Sequence, residues 1–285
     1  MTSTRPATPE AVPRRFLVAC LIIGPWAALG GCGGAGSVTP GDGRGGVGEA
    51  RVVAVAAASD LKDALDEIAG AFRRRNPEVS LKITYGSSGN LFAQLSNRAP
   101  FDIFFSADID YPRRLVAAGL ASGEAEFPYA IGRIVVWVPS GSGLDVERLG
   151  IGSLLDGSVR KIAIANPRHA PYGRAAVAAM KALGVYDRAE GRLVLGENVS
   201  QAAQFVETGA ADVGVIALSS AVSPAMRGKG RFWAVPLDAY PRLEQGGVVL
   251  SWAKDRGAAM RLRDFVTGGE GRAVLKKYGF TLPGD

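Results

Sequence analysis

Apolar positions from residue 51 onward switch repeatedly between a short continuous run and a helical repeat. Residues 52–56 are Val and Ala, and Leu61, Ala64, Leu65, Ile68, Ala69 and Phe72 then recur at helical spacing. Lys62, Asp63, Asp66, Glu67, Arg73, Arg74 and Arg75 fall on the opposite face, which predicts a strand followed by an amphipathic helix. The same pair is predicted at 81–85 with a helix near 90–97, at 161–165 with 174–183, and at 192–195 with 200–208. Residues 213–217 read as a further strand followed by a short loop. Strands separated by helices predict an α/β fold with largely parallel sheets flanked by helices.

Two more strand-like runs, 133–138 and 247–252, are bounded by Gly or Pro turn signals and lie far apart in the chain. They mark where the chain is expected to cross between two lobes, with lobe I formed by 49–130 plus 238–285 and lobe II by 131–237. One continuous doubly wound sheet is the alternative that periodicity leaves open.

Ahead of this pattern the chain changes character. Arg14 and Arg15 precede the apolar run 16–29, and Leu29-Gly30-Gly31-Cys32 follows. A charged start, a short apolar stretch and small residues before a cysteine predict a lipoprotein signal peptide over 1–32, with Cys32 as the lipidated first residue of the mature chain. The run is short for a membrane-spanning helix. A signal cut elsewhere and a retained anchor are the alternatives. Half of residues 33–48 are glycine, and nothing there can bury against a core, so this segment is expected to be a flexible tether spanning roughly 20–25 Å. It contains a GxGxxG match at 31–36, but no strand precedes it and no helix follows, which excludes the dinucleotide reading.

Composition narrows the chemistry. Cys20 leaves with the signal, so the mature chain keeps only Cys32 and has neither an internal disulfide nor a cysteine nucleophile. Of the net charge of +6, Arg5, Arg14 and Arg15 against Glu10 contribute two. The rest is interspersed with acidic residues and does not point to nucleic acid. The single histidine, His169, has no partner set for catalysis or metal binding. Asp102, Asp108 and Asp110 could be read as a carboxylate cluster, but their neighbours make them strand, turn and cap residues. No enzyme and no cofactor are expected.

Four predicted strand ends carry small or hydroxyl residues ahead of a helix: Ala57-Ala58-Ser59-Asp60, Gly86-Ser87-Ser88-Gly89, the stretch 166–173, and Gly196-Glu197-Asn198-Val199-Ser200. Ligands of open α/β folds gather at the carboxyl ends of strands, where helix N-terminal amides point outward. Hydroxyls and amides there can hold an oxyanion without a countercharge. Taken singly, Ser59, Asp60 and Ser200 read as ordinary helix N-caps; sugar phosphates and carboxylates also suit the pattern.

At these loops the chain resembles the periplasmic molybdate-binding protein family. The matching stretches are Val55-Ala56-Ala57-Ala58-Ser59, Tyr85-Gly86-Ser87-Ser88-Gly89-Asn90-Leu91, 102–108, Ala165-Asn166-Pro167 through Pro171-Tyr172-Gly173, Gly196-Glu197-Asn198-Val199-Ser200-Gln201, and Tyr278-Gly279-Phe280. The resemblance implies a two-lobed type II periplasmic binding protein fold with the ligand in the interlobe cleft. It implies hydroxyls and amides from Ser59 and Ser88, and backbone N–H groups from Tyr172 and Val199, holding molybdate or tungstate. The partners it implies are an ABC permease and its ATPase, with the binding protein a periplasmic or surface-held monomer anchored through Cys32. Many members place a ligand-contacting tyrosine where Ala217 stands here, so Tyr172, Ser219 or water is expected to supply that donor, and Asp60 to turn its carboxylate away as a cap. Sulfate, phosphate or a small organic anion is the nearest alternative cargo; an enzyme on a related scaffold is more distant.

Overall fold

A computed structural model describes residues 51–285; the expected signal peptide, Cys32 and the tether 33–48 lie outside the described residues. The chain begins with β1 (Arg51–Ala58), α1 (Lys62–Arg75), β2 (Val79–Gly86), α2 (Ser88–Ser96), β3 (Ile103–Ser106), α3 (Asp110–Ala117) and β4 (Ala121–Gly132). There follow β5 (Ile134–Pro139), α4 (Val146–Leu149), β6 (Ile162–Ala165), α5 (Pro171–Ala182), α6 (Tyr186–Ala189), β7 (Leu193–Gly196), α7 (Val199–Glu207), β8 (Val213–Ala217), α8 (Leu218–Ala221) and β9 (Gly230–Ala234). Last come β10 (Leu243–Leu250), α9 (Arg256–Thr267) and α10 (Gly269–Lys277).

The strands form two five-stranded sheets on one plan. In the first, ordered β2-β1-β3-β10-β4, the first three are parallel and β10 is antiparallel to both its neighbours. In the second, ordered β7-β6-β8-β5-β9, β5 takes the antiparallel place. The sheets are therefore mixed, where periodicity predicts largely parallel ones. The reason is topological: each antiparallel strand follows directly on the edge strand of the other sheet, β4 leading into β5 and β9 into β10, so it arrives from the opposite direction.

Each sheet has its own core. On α1 the buried Leu65, Ile68 and Phe72 meet Val53 and Val55 of β1, and Phe72 packs edge-on against Phe265 of α9 at 5.5 Å. In the second lobe Met180 of α5 and Val206 of α7 cover Ile162 to Ala165 and Val213. Burial on both faces explains the Val/Ile/Ala runs of β1 and β6 and that of β8, broken only by Gly214. Where a short loop is predicted after 217, the chain makes one helical turn, α8, because Leu218 N is held by the Arg133 carbonyl at 2.9 Å and Val222 N closes on Leu218.

Phe104 sits wholly buried at the centre of the first sheet, between β1 and β10. Phe104→Ala is expected to lower unfolding free energy by about 3–5 kcal/mol in urea denaturation, with the slope unchanged.

Candidate functional site

Strand register brings the hydroxyl-bearing loops together. β1 and β2 end side by side at Ala58 and Gly86, and β6 and β7 end at Ala165 and Gly196. The loops that follow face one another across the two lobes and enclose a small pocket walled by Ser59, Asp60 and Ser88 on one side and Ala170, Tyr172 and Val199 on the other. Its interior is about 10 Å³, room for about one water molecule in this arrangement of the lobes. All four residues expected to hold an oxyanion are there, each almost fully buried.

Ser88 and Val199 are the first residues of α2 and α7, and Tyr172 is the second of α5, where Pro171 starts the helix. Amides in a first turn have no acceptor within their own helix. The neighbouring amides are engaged: Gly89 N donates to the His169 carbonyl at 2.9 Å, Gly173 N to that of Ala170 at 3.0 Å, and Gln201 N to Asn198 Oδ1 at 3.1 Å. Those of Ser88, Tyr172 and Val199 have no acceptor among the described residues. Three helix starts thus aim N–H groups, and the positive ends of their dipoles, at one pocket.

The serine hydroxyls are set as donors by what they accept. Ser88 Oγ accepts from Ala107 N at 3.0 Å, and Ser59 Oγ accepts from Ser200 N at 3.4 Å. An oxygen already accepting an N–H has its own proton free for another acceptor. Ser59 and Ser200 are not the helix caps that local pattern predicts. Asn198 caps α7, while Ser200 Oγ donates to the Ser59 carbonyl at 2.8 Å and ties the two lobes together.

Asp60 departs furthest from expectation. Its carboxylate does not cap a helix; it turns into the interlobe contact, where Tyr172 OH donates to Oδ2 at 3.0 Å and Gln245 Nε2 donates to the same oxygen at 2.7 Å. Burial pushes its carboxyl up to about 6, against the opposing effect of those two donors. Burial likewise raises the Tyr172 hydroxyl, with Asp60 adding to the shift. The Tyr172 hydroxyl is therefore engaged with Asp60, and the Ser219 hydroxyl donates to the Asp60 carbonyl at 2.7 Å, so neither takes the role expected of a substitute for tyrosine at the buried Ala217. Gln245 escapes sequence reading; the only local signal is a polar side chain inside the apolar strand β10.

Other features do not compete for the ligand. Asp102 is engaged by Ala54 N at 2.7 Å and Lys254 N at 2.6 Å, and Asp108 accepts from Asp110 N, as the turn reading requires. Among the described residues no three His, Cys, Asp or Glu side chains are grouped to hold a metal ion. A larger groove of about 320 Å³ lies beside the pocket, but its arginines already have carboxylate partners: Arg174 with Asp108, Arg113 with Asp110 and Glu126, and Arg242 with Glu244.

The rim of the pocket is a seam between lobes. Besides the Gly89 to His169 bond, Ser87 Oγ meets His169 Nδ1 at 2.8 Å, and Asn90 bonds Glu197. A Cβ on Gly89 would lie 2.5 Å from the His169 carbonyl oxygen, a contact that exists only while the lobes are together. Gly89→Ala is expected to hold the lobes apart, read as a larger radius of gyration by small-angle scattering, while unfolding free energy stays within about 0.5 kcal/mol because alanine suits a first helical turn.

A family model of bacterial extracellular solute-binding proteins matches residues 53–281. The chain is 34% identical over 228 residues to the molybdate-binding protein ModA of Rhodobacter capsulatus, covering 80% of this chain and 87% of that one. It is 27% identical to the putative ABC transporter substrate-binding lipoprotein YvgL of Bacillus subtilis, over 80% of this chain and 85% of that one. The structure of the Azotobacter vinelandii periplasmic molybdate-binding protein aligns with a TM-score of 0.76 at 33% identity, over 81% of this chain and 99% of that one. Since the family model spans most of the described residues and the relatives are matched nearly end to end, this chain belongs to the bacterial extracellular solute-binding proteins and, among them, to the molybdate-binding protein family.

Proposed function

We propose that the protein captures molybdate or tungstate outside the cytoplasm and delivers it to the permease of an ABC importer. The observation that carries this reading is the convergence of free donors on one small pocket. Ser59 and Ser88 would each supply a hydroxyl and an amide, and Tyr172 and Val199 an amide each. A tetrahedral dianion presents acceptors only, so a site made of donors matches it with no cation needed. Hydrogen phosphate keeps an O–H that such a site leaves unpaired, at about 1–3 kcal/mol. In this reading, discrimination of the larger oxyanions from sulfate comes from the size of the cavity closed around the ion. The relatives' names, molybdate-binding and ABC transporter substrate-binding, support the cargo and the permease partner.

In this reading the moving bodies are 49–130 plus 238–285 and 131–237. They close over the ion about the strands that cross between sheets, and the closed form docks on the permease as a monomer. Cys32 carries the lipid that holds the protein at the membrane, in the periplasm or on the outer cell surface, with 33–48 as its tether. No bond in the cargo is made or broken.

Thermal unfolding of residues 49–285 with molybdate, tungstate, sulfate, phosphate or no anion tests the reading. Molybdate and tungstate at a hundredfold excess over the dissociation constant are expected to stabilise the fold by about 2.7 kcal/mol, with little effect from phosphate. Ser59→Ala together with Ser88→Ala should weaken binding by roughly 10- to 100-fold per hydroxyl, the value of a hydrogen bond to a charged acceptor. Indifference to all four anions would refute the assignment.

A further inference from the structure

Two buried side-chain oxygens at the interlobe contact have no hydrogen-bond partner among the described residues: Asp60 Oδ1 and Gln245 Oε1. They belong to side chains already joined through Gln245 Nε2 and Asp60 Oδ2 at 2.7 Å. Both are acceptors, and Asp60 walls the pocket beside Ser59 and Ser88. One proton on Oδ1 turns an orphaned acceptor into a donor and gives the pair the complementary pattern of an acid and an amide. An ionised carboxylate would instead leave an unpaired negative charge in the wall of a site for a dianion.

We infer that Asp60 is a further residue of the oxyanion site, carried into the closed lobes as a neutral carboxylic acid, so that capture of a dianion is coupled to proton uptake. This rests on the pocket being the oxyanion site. Among the described residues no charged side chain faces Asp60 from the elements packed around it. Tyr172 comes from α5 and Gln245 from β10; from β4 comes Tyr129, whose hydroxyl donates to the Ser106 carbonyl at 3.0 Å. Ser219 of α8 reaches only the Asp60 carbonyl. Lys62, next on α1, is turned to Asp66 at 2.6 Å, and Arg133 acts on Tyr240. His169 lies at the rim, held by Ser87 and 3.9 Å from the Glu197 carboxylate.

Burial already holds the Asp60 carboxyl near 6, and a bound dianion acts in the same direction. A carboxyl whose protonation is favoured in the closed form adds affinity that is greatest at low pH and is lost as pH rises through the closed-form value near 6. The neutral acid also keeps the wall free of a charged acceptor that could take the O–H of hydrogen phosphate, so Asp60 contributes to selectivity as well as affinity.

The test is calorimetric titration of the purified protein with sodium molybdate between about pH 5.5 and 8, repeated near pH 6.5 in two buffers of different ionisation heat. Affinity is expected to fall roughly three- to tenfold across that range with net proton uptake on binding, by single-site linkage. Asp60→Asn should abolish both the slope and the uptake, whereas His169→Gln should keep the slope whatever its effect on affinity. Tight, pH-independent binding without proton uptake by the unsubstituted protein would overturn the assignment to Asp60, and so would a slope that survives Asp60→Asn. Proton uptake is measured on the unsubstituted protein, so the test does not depend on the variant folding. Absence of molybdate binding at every pH overturns the oxyanion site itself, and is distinguished by its lack of any binding heat.

Discussion

A doubly charged oxyanion gives up a full hydration shell when it enters a protein, and every lone pair that loses water must find a donor. A site can meet that demand with cations or with directed neutral donors. Here the pocket walls hold no lysine or arginine, and the arginines of the neighbouring groove are already paired. What remains is the set of amides that helices leave unpaired at their starts, reinforced by two serine hydroxyls whose acceptor capacity is already engaged. Much of the architecture serves to aim those groups: strands that end in register, helices that begin immediately after them, and a second lobe built on the same plan to supply the other half.

The exchange of strands between the two sheets bears on how such a site opens. The chain passes from β4 to β5 through Arg133 alone and returns ahead of β10, so two adjacent connections join otherwise separate cores. Gln245 lies on the returning strand and reaches Asp60 and Tyr172, one from each lobe. The buried polar network therefore sits where the connections meet the pocket. Its hydrogen bonds from Tyr172 to Asp60 and from Ser200 to Ser59 can form only while the lobes are closed.

Legibility in the sequence follows the range of the interactions. β1 and α1 were readable because Val53, Val55, Leu65, Ile68 and Phe72 are placed by periodicity alone. The twelve-residue β4 passes unrecognised because glycine, Pro128 and two glutamates interrupt its alternation; its pairing with β10, not its own pattern, makes it a strand. Ser59, Ser88, Tyr172 and Val199 could be proposed because strand end, hydroxyl and helix start are neighbours in sequence, and the family resemblance sharpened their roles. Asp60 and Ser200 were misread as caps because their real partners are remote: 185 residues separate Asp60 from Gln245, and 141 separate Ser200 from Ser59. No local rule finds such pairs.

X-ray absorption at the molybdenum K edge of the molybdate-loaded protein reads the central feature most directly, the holding of an intact oxyanion by donors alone. A shell of four short, equivalent oxygens, unchanged from free molybdate, is the expected result, because every protein group touches the ligand's oxygens and none touches the metal. A fifth or sixth, longer oxygen would mean that a protein group, with Asp60 the carboxylate at hand, coordinates the metal, and would contradict it.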